Sequence, residues 1–171
     1  LRHAKKNSPS NISALITRPL ILTLVVMVYE SAPEIPDTLP EFFDGLFQVV
    51  FTRHDRLKAR FSRKHYCGLS ESALRQLFEA FCFVAMQLDY GRALTNQQFK
   101  VAFDLAKKYG NSLECEQEDF QKDITKVACL MLEDGNDSLT YLHKSIMEYY
   151  SAAYVRSLND EHAKTFYRAI I

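Results

Sequence analysis

The sequence lacks an excess of charge of either sign: Lys and Arg total 21, and so do Asp and Glu. That balance leaves no net field to draw the whole chain to nucleic acid or to an anionic membrane. Long apolar runs are missing as well. The longest, Leu20 to Tyr29, begins beside Arg18-Pro19 and is only ten residues long. A bilayer-spanning helix needs about 20, so no membrane partner is expected. No signal peptide opens the chain. Glycine is sparse, and Gly45, Gly68, Gly91, Gly110 and Gly135 are scattered. None builds a phosphate-cradling loop, and no GxxxxGK[ST] occurs. The four cysteines, Cys67, Cys82, Cys115 and Cys129, stand far apart with no CxxC. No His/Cys cluster has zinc spacing. The cysteines read as reduced thiols of a cytosolic protein, mostly in the core, so the expected location is cytoplasmic. Nothing flags a nucleophile beside a base, and no self-contained active site is expected. Leu1 is not a methionine, so the chain is expected to be a piece of a longer one.

What is present is helix signal. Ser8-Pro9 is an N-cap followed by proline at the first helical position, starting a short helix to about Ile16. Pro19 opens "PLILTLVVMVYE", apolar nearly all round and therefore expected to be buried on most sides. "SAPEIPDTLP" is a proline-rich linker. Thr38 and Glu41 form a capping box, with Pro40 in the first turn, for a helix from Leu39 to about Phe61. Its inner face carries Leu39, Phe42, Phe43, Leu46 and Val50.

"KHYCGLSES" breaks the chain. Ser70 caps the next helix, whose inner stripe is Leu74, Leu77, Phe78, Phe81, Ala85 and Leu88. "DYGRALT" reads as a turn. Thr95 and Gln98 make a second capping box, with Phe99, Ala102, Phe103 and Ala106 facing inward, and "KYGNSLEC" stops that helix with glycine. Phe120, Ile124, Val127, Ala128 and Met131 define a further helix. Glu116, Glu118 and Asp119 at its start suit the positive end of the helix dipole. "EDGND" lies between the short apolar runs Leu130–Leu132 and Leu139–Leu142 and predicts a hairpin. A helix from His143 to about Leu158 follows, and a weaker one from Asp160.

The expected fold is therefore mainly α: a small helical bundle, then a winged-helix domain with one short β-hairpin. The boundaries fall at residues 1–66 for the helical domain and 67–158 for the winged-helix domain. Residues 159–171 are a linker or the start of a following helical region.

Two features could carry function. His143, Ile146, Met147, Tyr150 and Tyr154 lie on one helical stripe, which puts His143 inward in the first turn. Free N–H groups and the positive dipole end make that a place for an anion, and an imidazole N–H adds a directed donor. The competing reading is a histidine that caps or packs locally, with its nitrogens bonded to backbone. Second, Thr52 to Tyr66 holds six Lys/Arg and two His against one Asp. It could contact nucleic acid, but a solvated helix end, where cations favour the negative end of the dipole, is the preferred reading. The helix expected to read a DNA groove, Thr95 to Tyr109, has few cations: Lys100, Lys107 and Lys108.

"TRPLILTLVVMVYE", "LPEFFDGLFQVVFTRHDRLK" and "YLHKSIMEYYSAAYV" together resemble the part of NACHT-family STAND ATPases that follows the nucleotide-binding core. There a first helical domain carries an asparagine-proline-leucine-type motif. A winged-helix domain later ends in a phenylalanine-leucine-histidine, serine-phenylalanine-x-glutamate-tyrosine/phenylalanine, alanine-alanine pattern. Arg18-Pro19-Leu20 stands for the first and Tyr141 to Ala153 for the second. The likeness runs from about Ser8 to Leu158 and is nearest to prokaryotic members, often defence proteins against phage. Arg18 and Ile146 depart from the usual asparagine and aromatic, and the P-loop and Mg-binding acids are missing.

The resemblance implies that Pro19 packs on the adenine and that His143 reaches the β-phosphate of bound ADP. It implies ADP or ATP, with Mg, in a parent protein and none in the isolated chain, which alone should not hydrolyse ATP. The implied partner is an upstream nucleotide-binding domain of the same polypeptide, and the parent forms a homo-oligomer on activation. The proline-rich linker and "KHYCGLS" are the hinges it suggests. A DNA-binding winged-helix regulator and a plain helical protein-interaction module are the alternatives.

Overall fold

In the computed structural model the chain divides into two compact units, Leu1–Arg63 and Lys64–Ile171. The structure describes residues 22, 23, 26 and 41–45, then 65–170 except 110–113 and 136; the side chains of residues 165, 167, 169 and 170 are left out.

In the first unit, residues 41–45 are helical, with Phe42 and Phe43 buried and edge-to-face at 5.2 Å. Both belong to the apolar stripe read from the sequence. Leu22, Thr23 and Val26 are also helical, but Thr23 and Val26 are exposed. The expectation that this apolar helix is buried on most sides is therefore corrected at those two positions. Thr38, Pro40 and Pro19 lie outside the described residues, as does most of the basic stretch 52–66.

The second unit is mainly helical around a small three-stranded antiparallel sheet. Its first helix, α1 (Glu71–Gln87), starts where the Ser70 hydroxyl accepts the N–H of Ala73 at 3.3 Å. Leu74, Leu77, Phe78, Phe81 and Ala85 are buried as the spacing requires, but so are Ala80, Cys82, Phe83 and Val84. The helix is covered on more than one side because two later helices, Asn96–Tyr109 and Lys144–Ser157, both pack on it. Leu88 is 39% exposed and not in the core. The helix ends there, and Asp89 turns into the left-handed region at φ 52°, leaving Leu88 outside.

"DYGRALT" is not only a turn. Ala93–Thr95 forms β1, which pairs antiparallel with β3 (Ser138–Tyr141). Helix α2 (Asn96–Tyr109) follows at once. Its capping box forms as read: Gln98 Oε1 accepts the N–H of Thr95 at 2.9 Å, and Thr95 Oγ1 accepts the N–H of Gln98 at 3.2 Å. Phe99, Ala102, Phe103 and Ala106 are buried.

Helix α3 (Gln117–Lys122) widens into a π-helical turn over Asp123–Val127, where the N–H of Ala128 reaches back to Asp123 O at 2.8 Å. Cys129 at φ 51° then breaks the helical path. Met131 therefore lies in strand β2 (Met131–Asp134), not on the helix stripe expected for it. Strands β2 and β3 form the hairpin predicted from "EDGND", with Met131 opposite Tyr141, and the sheet order is β1-β3-β2.

Helix α4 (Lys144–Ser157) and α5 (Asp160–Ile170) close the unit. An aromatic cluster joins the layers. Phe81 lies 4.9 Å from Phe99 and 5.5 Å from Phe120, while Phe78 meets Tyr150 edge-on at 5.0 Å. Phe83 contacts Tyr154 at 4.8 Å and Phe166 of α5 at 5.6 Å. Burying each such ring stabilises the fold by about 2–3 kcal/mol. No helix among the described residues is long and apolar enough to cross a membrane.

Candidate functional site around His143

Strand β3 delivers the chain to the mouth of α4 through Leu142 and His143. Tyr141, Leu142, Ile146 and Tyr150 are buried behind this corner, so the backbone is fixed from the core side. His143 is the N-cap of α4 and not a first-turn residue: its backbone is extended, at φ −146° and ψ 146°. Its carbonyl accepts the N–H of Ile146 at 3.0 Å, and its ring Nδ1 accepts the N–H of Ser145 at 3.1 Å. The ring is half-buried. Capping is what one of the two sequence readings expected.

That cap has a chemical consequence. An Nδ1 that accepts a hydrogen bond carries no proton, so in the neutral ring the proton sits on Nε2. The backbone thus selects the tautomer whose outer nitrogen is a donor.

Arg92 is the site residue that sequence reasoning missed. Its Nε donates to Tyr141 O at 2.9 Å and its Nη2 to Leu142 O at 3.0 Å. The Arg92 carbonyl in turn accepts the N–H of Tyr141 at 2.9 Å. A guanidinium is thereby held one residue from His143. The signal was the register: Arg92 directly precedes β1, and Ala93 pairs with Thr140. Lys144 adds a second cation, paired with Glu148 at 3.2 Å. The corner therefore combines a helix N-terminus with the Arg92 guanidinium on the neighbouring carbonyls, and the Lys144 charge beside them is balanced by Glu148.

Behind the corner, burial pushes the Cys82 thiol and the Tyr141 and Tyr150 hydroxyls well above their ordinary values. Cys82 and Tyr141 also face one another, which lowers the thiol's value and raises the hydroxyl's. All three stay neutral and serve as packing. A surface cleft lined by Arg75, Glu79, Tyr109 and Tyr154 sits at the other end of α4. A helix of 14 residues is about 21 Å long, so that cleft is separate from the His143 corner. Pro19 lies outside the described residues and is not brought to it. No group of His, Cys, Asp and Glu that could hold a metal occurs among the described residues.

The cysteine reading needs a correction. Cys67 and Cys115 are joined as a disulfide, with Cα atoms 5.1 Å apart, whereas Cys82 and Cys129 are free. Forty-eight residues separate the pair in sequence, and the turn before α1 meets the flank of α3 only in the fold.

Comparison with models of known protein families, with curated proteins and with solved structures finds no match for this chain.

Proposed function

We propose that the chain is the regulatory helical and winged-helix part of a NACHT-type STAND ATPase. It closes over ADP held by a P-loop domain of the same polypeptide. The observation that carries this reading is the His143 cap: ring Nδ1 accepts the Ser145 N–H at a half-buried helix mouth, one residue from the Leu142 carbonyl that Arg92 holds. The helix and strand order also supports a winged-helix assignment. Helices α1, α2 and α3 precede a hairpin, and β1 joins it as a third strand.

On this reading His143 is a latch. A hydrogen bond from the ring to a charged phosphate contributes about 1.5–3 kcal/mol, a bias of roughly ten- to hundredfold between closed and open arrangements. Mg, ATP exchange and hydrolysis belong to the P-loop domain, and oligomerisation to the open state. A role in antiphage defence rests on the family likeness alone.

Among the described residues the charges do not favour a DNA-binding role. The helix running into the hairpin is α3, not α2; Glu116 is its N-cap, and Glu118 and Asp119 lie in its first turn. The hairpin carries exposed Glu133, Asp134 and Asp137. Lys107, one of the three cations on the helix that the DNA-binding alternative would use, donates to Cys115 O at 2.9 Å.

The test uses the polypeptide that contains this chain. ADP retained through purification and released at least about tenfold faster by His143→Ala would support the reading. No nucleotide bound, or a salt-sensitive shift of duplex DNA by this chain, would replace it.

A further inference from the structure

The geometry points to a thiol switch: the Cys67–Cys115 bridge is a reversible covalent tether that fixes the turn entering the second unit onto helix α3. The inference is independent of the nucleotide reading, because it uses none of His143, Arg92 or Lys144.

The turn spans His65 to Leu69, immediately after the boundary at Arg63. Gly68 adopts φ 64°, a conformation that favours glycine, and its N–H returns to His65 O at 3.0 Å. The carboxylate of Asp123, fully buried, accepts the N–H of Tyr66 at 2.9 Å and that of Cys67 at 3.0 Å. Lys122 Nζ lies 5.6 Å from the centre of the Tyr66 ring. These contacts hold the turn at the C-terminal end of α3. The Cys67–Cys115 bridge holds it at the other end, since Cys115 precedes Gln117, where α3 begins. The helix therefore clamps the turn from both ends, and one of the two clamps is redox chemistry.

Three features make this pair a switch and not a static staple. Cys67 is the more open partner, half-buried where Cys115 is only 6% exposed, so it is the side on which a small thiol would approach. Two further cysteines stay reduced, and Cys129 is exposed, which is unlike the fully paired inventory of a disulfide scaffold. Finally, Asp123 keeps its grip on Tyr66 and Cys67 without the bridge, so opening it loosens one end of the turn without freeing it.

The chemistry balances with a small-molecule thiol of the glutathione class. Its thiolate attacks Cys67 Sγ, the S–S bond breaks, and Cys115 leaves as a thiolate that takes up a proton. A second thiolate then displaces Cys67 from the mixed disulfide. The protein gains two electrons and two protons, and one external disulfide is released. Oxidation by that disulfide runs the same steps backwards.

The experiment places the full chain in buffers of oxidised or reduced glutathione, traps free thiols with a maleimide, and reads hydrogen exchange of residues 65–69. The expected result is that Cys67 and Cys115 become labelled together in reduced buffer while circular dichroism is unchanged. Exchange at 65–69 then rises on the order of tenfold, with peptides of α1 and α2 unaffected. Cys67→Ser should exchange at the fast rate in both buffers. Independent labelling of the two cysteines would overturn the proposal. So would a bridge that opens only when the chain unfolds, or equal exchange at 65–69 in both buffers.

Discussion

Asp123 and Cys67 are 56 residues apart in sequence, and the fully buried carboxylate of the first accepts the backbone N–H of the second at 3.0 Å. The same carboxylate takes the N–H of Tyr66 at 2.9 Å, and His65 Nδ1 stands 4.0 Å away. One side chain thus organises the entry into the second unit, and it does so from a π-helical turn. Such turns are frequent where a helix must re-aim a side chain for a specific task.

Asp123→Ala should therefore destabilise the second unit by about 3 kcal/mol, since two N–H groups lose a charged acceptor. Asp123→Asn should cost less, because one amide oxygen still accepts while its NH2 opposes an N–H. Urea unfolding of the two variants measures the order, and an Asp123→Ala midpoint equal to wild type would contradict the assigned role.

The capping box at the head of α2 is a local test of how this helix is started. Thr95→Ala and Gln98→Ala should each cost about 1 kcal/mol. The double variant should cost less than the sum, because both residues serve one reciprocal pair. Thermal unfolding of the three variants checks this.

Alkaline pH should unfold the second unit early. Cys82, Tyr141 and Tyr150 have folded-state values raised above the ordinary 9.0 for a thiol and 10.0 for a tyrosine hydroxyl. The unfolded chain therefore releases these protons first. Stability is fully present below about pH 9, where both states hold them, and falls as the pH rises through the unfolded values toward the folded ones. Each group contributes a slope of about 1.4 kcal/mol per pH unit over its own window. A pH series of denaturation midpoints reads the slope, and Tyr141→Phe should make it shallower.

Much of this fold was legible because its signals are local. The Thr95–Gln98 box, the "EDGND" turn and the stripe Phe99, Ala102, Phe103, Ala106 each lie within a few residues. What escaped reading depends on distant partners. Strand β1 has a single buried residue, Leu94, and becomes a strand only because β3 pairs with it. Met131 continues a helical spacing, but the π-helical turn and the positive φ of Cys129 put it in β2. Leu88 completes an apolar stripe and is exposed because the helix ends beneath it. Cys67 and Cys115 carry no mark of pairing across 48 residues. At the His143 corner the histidine and its competing readings were visible, but the tautomer and Arg92 needed the register of the sheet.

The most direct measurement separates the two jobs of His143. Asparagine at an N-cap accepts a helix N–H nearly as well as any residue, so His143→Asn keeps the cap and deletes the ring donor. In the polypeptide that contains this chain, ADP dissociation should be at least about tenfold faster for His143→Asn than for wild type, at unchanged thermal stability. His143→Asn that retains ADP as wild type does, while His143→Ala releases it, would show that the histidine is only a cap and would contradict the latch.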